Sequence, residues 1–245
     1  MYLLGLDCST SVTALAIATE ERVLAETFLH TEGTHSERLM PAIEATLAIS
    51  KLRLADLQGI AVAIGPGSFT GLRIGLATAK GIAHPLSLPV VAIPTLDALA
   101  RNAMHTTTLV CPILDARKSE VYTSLYQAST EGMERLSPYE ALSPEALVHK
   151  ITAKQQELEL ELNVLFLGDA VPVYRDYLQA KMGTKALFAP PELAYPRGSQ
   201  VARLGLERLK QGEEDSLHEL APLYIRPSEA EVNYAKQKTA QTVKV

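Results

Sequence analysis

Asp7 ends an apolar strand and is followed by Cys8-Ser9-Thr10-Ser11. A carboxylate there could hold a magnesium-bound water, and the hydroxyls beside it could hold a phosphate. The same residues also suit a plain hairpin turn, because Ser and Thr side chains satisfy turn backbone. A second stretch with chemical potential is Gly65-Pro66-Gly67-Ser68-Phe69-Thr70-Gly71, between a buried apolar run at 59–64 and an Ala/Leu-rich helix at 72–83. Backbone N–H groups and the positive end of a helix would face an anion in such a loop. The spacing is not that of a P-loop, since no Gly-Lys-Ser/Thr follows Gly71. The glycines fall as G-x-G-x-x-x-G, and no acidic residue lies about 20 residues on to hold a ribose. The other reading of this loop is a strained turn that seats the helix close to the sheet.

The remaining candidates are thin. His30 sits in a strand and His35 at a helix start, so they do not share a helix face as paired metal ligands would, and no H-E-x-x-H occurs. His84, His105, His149 and His218 are scattered. Cys8 and Cys111 are single cysteines in two apolar strands, which argues against a disulfide framework or a zinc site and for a reducing compartment. The net charge is −5 and no Lys/Arg run appears, so no nucleic-acid surface is advertised. There is no basic, apolar leader and no run long enough to cross a membrane.

The elements that must position these residues follow from periodicity. Strands are expected at 2–6, 12–19 and 22–30, forming an antiparallel meander with Asp7 at the tip of its first strand. A helix is expected over 35–49, with Leu39, Ile43 and Leu47 at i, i+4, i+8 and Met40 beside them. Strand 59–64, the glycine turn, helix 72–83 and strand 90–93 make a βαβ unit, hence a parallel sheet. Within that helix Gly71, Gly75 and Ala79 place small residues on one face. Each glycine costs a helix about 1 kcal/mol against alanine, a loss offset by close approach of a neighbour, either this chain's sheet or another subunit. The second half repeats the order: strand 109–114 ending at Asp115, strands at 121–127 and 133–139, a helix opened by Ser143-Pro144-Glu145, strand 163–167, Gly168-Asp169-Ala170, and helix 171–181. A further amphipathic helix is expected at 199–211, with Val201, Leu204 and Leu209 apolar, then a short apolar piece at 217–226. The expected division is an N-terminal lobe at 1–105, a smaller lobe at 106–195, a helical segment at 196–227 packing back on the lobes, and a mobile tail at 228–245.

Two duplicated lobes of βββαβα order resemble the α/β actin/Hsp70/sugar-kinase (ASKHA) superfamily. More specifically, LGLDCSTSVTALAI, HSERLMP, GPGSFTGLRIGLATAKGIA and the late LYIRPSEAEV resemble the bacterial TsaB family, also called YeaZ. That resemblance implies a cytoplasmic, non-catalytic subunit of the complex that forms N6-threonylcarbamoyladenosine at position 37 of ANN-decoding tRNAs. It implies pairing with the catalytic homologue TsaD, a role for the ATPase TsaE in the complex, an indirect link to TsaC and to tRNA, and a homodimer in isolation. The family pairs through the first two helices of its N-terminal lobe. On this sequence that points to Leu39, Met40, Ile43, Leu47, Leu72, Gly75, Leu76 and Ala79. No cofactor is expected to be required, and a weak ATP or ADP site would lie in a degenerate cleft at Asp7, Ser9 and Thr10. In the second lobe Arg117-Lys118 replaces the small residues usual in a phosphate loop, which would crowd a phosphate. The competing reading is an ASKHA-type ATP-binding or ATP-hydrolysing enzyme. Below it rank an M22-like metalloprotease and a dimerising scaffold with no RNA role.

Overall fold

The computed structural model describes residues 1–130, 132–159 and 161–226. Two sheets organise the chain. The first runs β3-β2-β1-β4-β5, built from β1 (Leu3–Asp7), β2 (Thr13–Ala18), β3 (Val23–Leu29), β4 (Gly59–Gly65) and β5 (Val90–Pro94). The meander β1–β3 is antiparallel, whereas β4 and β5 add parallel to β1. Helix α1 (His35–Ile49) and helix α2 (Phe69–Leu86) cover one face of this sheet. Leu4, Leu6, Leu15 and Ile17 meet Leu39, Ile43, Leu47, Leu76 and Ala79 there in one core.

The same architecture recurs in the second sheet, β10-β7-β6-β11-β12. Its strands are β6 (Leu109–Asp115), β7 (Val121–Thr123), β10 (Glu140–Leu142), β11 (Val164–Leu167) and β12 (Ala186–Phe188), with helices α4 (Pro144–Glu157) and α5 (Val171–Met182). The order and directions match the first lobe strand for strand, so Asp115 stands where Asp7 stands and Gly168 where Gly65 stands. This is the two-lobed ASKHA architecture expected from the duplicated pattern.

Several local expectations change. The strand expected at 121–127 is two strands, β7 and then β8 (Tyr126–Ser129), because the buried Ser124-Leu125 step leaves the ladder. There the Ser124 hydroxyl donates to the Ser137 carbonyl at 2.6 Å and the Leu125 N–H donates to the Ser137 hydroxyl at 3.0 Å. The strand expected at 133–139 is β9 (Gly132–Arg135), which hairpins with β8; the lobe's true third strand is β10. Helix α3 (Thr95–Ala100) and β12 were not anticipated. Helix α2 starts three residues earlier than expected, where the Ser68 hydroxyl accepts from the Gly71 N–H at 3.3 Å.

Helix α6 (Gly198–Lys210) packs on the opposite face of the first sheet. Val201, Ala202 and Leu206 join Leu3, Ala61, Val91 and Ile93 in a second core. Its N-terminus is tied to β3 by Glu26, whose carboxylate accepts from the Ser199 N–H at 3.0 Å, the Ser199 hydroxyl at 2.8 Å and the Arg197 guanidinium at 2.8 Å. Burial opposes the charge on Glu26, but these bonds outweigh it and hold its pKa below the ordinary value. The lobes also meet at α3, where the Asp97 carboxylate accepts from Tyr126 at 2.7 Å and Tyr139 at 2.8 Å. The expected tail at 228–245, and the part of the late motif beyond Arg226, lie outside the described residues.

The stripe Gly71–Gly75–Ala79 faces the chain's own sheet. A Cβ on Gly71 would collide with the Cys8 carbonyl, whereas one on Gly75 would sit 3.5 Å from the Cys8 Cβ in ordinary contact. Gly71→Ala is therefore expected to destabilise the fold by on the order of 1–3 kcal/mol. Gly75→Ala is expected to stabilise it by up to about 1 kcal/mol through helix propensity. Urea unfolding of both variants checks the contrast, and equal effects would remove the close approach as its cause.

Candidate functional site

The loop after β1 is closed on itself. Asp7 is 1% exposed, and its carboxylate accepts from the Ser9 N–H at 3.0 Å and the Ser9 hydroxyl at 2.9 Å. Burial dominates these bonds and raises its pKa to about 6. The Ser9 carbonyl accepts from the Ser68 N–H at 2.6 Å, and Gly67, at φ +157°, lies so close that any Cβ would strike Ser9. The G-P-G loop is thus stitched to the Asp7 loop, backbone against backbone.

Thr10 is held by a relay from α1. Arg38 Nε donates to Thr13 Oγ1 at 3.0 Å, and the same hydroxyl hydrogen-bonds His35 Nδ1 at 2.7 Å. His35 Nε2 then donates to the Thr10 carbonyl at 2.9 Å. Burial, with Arg38 nearby, lowers the His35 pKa and favours the neutral imidazole, whose Nδ1 then accepts from the Thr13 hydroxyl. His30 instead bonds Ser11 at 3.2 Å and lies edge-on to Tyr195. The two histidines are engaged separately. Burial raises the pKa of the Cys8 thiol, with Asp7 adding to it, and that of Cys111 to about 12, so neither is a nucleophile near neutral pH.

At the matching place in the second lobe, Arg117 folds back on Asp115. Its N–H donates to that carboxylate at 2.8 Å and its guanidinium pairs with it at 3.3 Å. Arg117, Lys118 and Ser119 are all left-handed, with φ of 60°, 53° and 58°. Asp169 accepts from the Asp115 N–H at 2.9 Å. The polar groups expected to flank a nucleotide are largely engaged with one another in both lobes.

The residues expected to meet a partner need correction. Leu39, Ile43, Leu47, Leu72, Gly75, Leu76 and Ala79 are buried inside the protomer, and only Met40, at 39%, is exposed. The apolar stripe of each helix covers the chain's own sheet, and among the described residues the outer faces are exposed. On α1 those faces present Met40, Pro41, Ala45, Ala48 and Ile49, the last 70% exposed. On α2 they present Arg73, Ala77, Gly81 and Pro85, with Ile74 half-buried. A Cβ at Gly81 would meet open space. The signal was present in the sequence as a second i, i+4 series, Ala77-Gly81-Pro85, displaced about 120° around the helix from the Gly71-Gly75-Ala79 series.

A family model for TsaD, tRNA N6-adenosine threonylcarbamoyltransferase, matches residues 23–234. The chain is 34% identical to the tRNA threonylcarbamoyladenosine biosynthesis protein TsaB of Bacillus subtilis, over 97% of this chain and all of that one. The chain belongs to the TsaB family. It is also 26% identical to the TsaB protein of Escherichia coli over 92% of its length. A solved YeaZ structure from Pseudomonas aeruginosa superposes with a TM-score of 0.74 at 25% identity, covering 91% of this chain and 99% of that one. Component A of the Acidaminococcus fermentans (R)-2-hydroxyglutaryl-CoA dehydratase shares the fold alone, with a TM-score of 0.51 at 12% identity. TsaB membership places the chain in tRNA threonylcarbamoyladenosine biosynthesis and relates it to TsaD. Among the described residues no helix is long and apolar enough to cross a membrane.

Proposed function

We propose that this chain is the non-catalytic dimerisation subunit of the complex that forms N6-threonylcarbamoyladenosine at position 37 of ANN-decoding tRNAs. It pairs with and activates the catalytic homologue TsaD through the outer faces of α1 and α2, and in isolation uses the same faces for a homodimer. TsaE joins the complex, TsaC supplies the activated threonylcarbamoyl group, and the setting is the cytoplasm. The observation that carries this reading is the open small-residue face Ala45, Ala48, Ala77 and Gly81. It suits the close approach of partner helices, whose packing distance depends on the side chains at the contact. The closed Asp7 loop supports a structural part for the first lobe: Ser9 and Asp7 bind one another, and no cofactor is required.

Reconstitution of tRNA threonylcarbamoylation tests it, with TsaD, TsaE, TsaC, ATP, threonine and bicarbonate held fixed. Modification is expected to require this chain and to survive Asp7→Asn. Failure of Asp7→Asn in a correctly assembled complex would support a working nucleotide cleft instead. Full modification without the chain would sink the proposal.

A further inference from the structure

The segment that returns after α6 ties the lobes together. On the first-lobe side the Leu223 N–H donates to the Ile64 carbonyl at the end of β4, at 2.7 Å. Its own carbonyl lies against Gly65, only 2.9 Å from where a Cβ would stand. Tyr224 then stacks on Phe69 in the first turn of α2, with ring centroids 4.9 Å apart and 23° between planes. Arg73 donates to the Tyr224 hydroxyl at 3.0 Å while its guanidinium lies 3.8 Å over the Phe69 ring. Two residues later Arg226 reaches the second lobe. It donates to the Ala116 carbonyl at 3.3 Å and pairs with Glu120. Ala116 and Glu120 close the β6–β7 turn, the Ala116 N–H donating to the Glu120 carbonyl at 3.0 Å.

We infer that residues 223–226 form a strap across the two lobes, with the Tyr224 stack as its fixed end and Arg226 as its latch. The step from Tyr224 to Arg226 spans about 7 Å of chain at most, so the strap has little slack. It grips the turn beside Asp115 on one side and the G-P-G loop beside Ser9 on the other. An ion pair and a stacked ring thus hold those two loops together, at a place apart from the α3 contact of Asp97 with Tyr126 and Tyr139. The fixed end is an aromatic–cation pile with a hydrogen bond, whereas the latch rests on one half-buried ion pair and one long hydrogen bond. The latch is the weaker anchor and releases first.

Spin labels at Glu21, in the exposed β2–β3 turn away from the proposed pairing face, and on the outer surface of α4, read by pulsed dipolar spectroscopy on the full chain, measure the lobe separation. Arg226→Ala is expected to broaden the distance distribution and raise amide exchange of residues 116–121 at least tenfold, with exchange in α4 and α5 unchanged. Arg226→Lys is expected to retain most of the closure, and exchanging the charges, Glu120→Arg with Arg226→Glu, to recover part of it. Tyr224→Ala is expected to broaden the distribution as well. An unchanged distribution and unchanged exchange in folded Arg226→Ala would overturn the latch, as would equal broadening in Arg226→Ala and in the charge-exchanged pair.

Discussion

Gly81→Arg is expected to weaken pairing more than a hundredfold while leaving the protomer folded. Position 81 is exposed on α2, and a Cβ there meets no atom within 4 Å among the described residues. Within the helix, arginine replaces a residue roughly 1 kcal/mol poorer in helix propensity, so protomer stability is held or raised. At a close helix–helix contact the same arginine must be seated where the partner backbone would lie, and its charge must be desolvated. That costs several kcal/mol, against about 2.7 kcal/mol for a hundredfold change in Kd. Ala77→Arg, one turn away on the same face, is expected to act alike. Gly75→Leu is the informative contrast. The Cβ of residue 75 would lie 3.5 Å from Cys8 Cβ and 4.0 Å from Val62 Cγ2, so the outer carbons of leucine overpack the core. Its defect is expected in the thermal midpoint of the protomer. Sedimentation velocity with and without TsaD, beside thermal unfolding, separates the cases. Normal pairing by both Gly81→Arg and Ala77→Arg would remove the outer face as the docking surface.

Asp7→Asn is expected to stabilise the protein at neutral pH and to flatten its pH dependence. The folded-state pKa of Asp7 is about 6, raised from 3.8 by burial. The folded chain thus binds this proton more tightly than the unfolded chain, so the stability contributed by protonation is complete below pH 3.8 and lost as pH rises through 6. The difference of about 2 units corresponds to about 3 kcal/mol withheld at pH 7 and above. Asparagine keeps an oxygen to accept from the Ser9 N–H and hydroxyl and has no charge to desolvate. The variant is therefore expected to exceed the parent in urea unfolding at pH 7.5 by up to about 3 kcal/mol, with the gap closing toward pH 4. Asp97 and Asp169 are shifted upward by burial as well and add slope of the same sign, whereas Glu26 and His35, shifted downward, add slope of the opposite sign, so the difference between variant and parent is the readout. Parallel pH profiles for parent and variant would mean that Asp7 is solvated in solution. A stable ionised carboxylate at this site would in turn favour the cation-binding reading over the structural one.

The sequence by itself determined what depends on near neighbours. Alternation and turn residues placed β1 to β3 to within a residue or two, and the i, i+4 repeat of Leu39, Ile43 and Leu47 placed α1 over His35–Ile49. Aspartates at two strand ends and glycines after two buried strands exposed the duplication, because each half must solve the same local problem of turning from strand to helix. Tertiary structure decided what covers each face. Helix α2 carries small residues on two faces, and periodicity says which residues share a face but not which meets the sheet. The collision of Gly71 with the Cys8 carbonyl assigns the Gly71–Ala79 stripe inward and frees Ala77 and Gly81. Strand pairing is likewise non-local. The expected third strand at 133–139 pairs with β8 instead, and β10 takes the third position because it lies on the side of β7 away from β6. The strap is the extreme case, since Arg73 and Tyr224 are 151 residues apart. No local pattern encodes a contact across that separation; it exists only once α6 has packed on the first sheet and turned the chain back over α2.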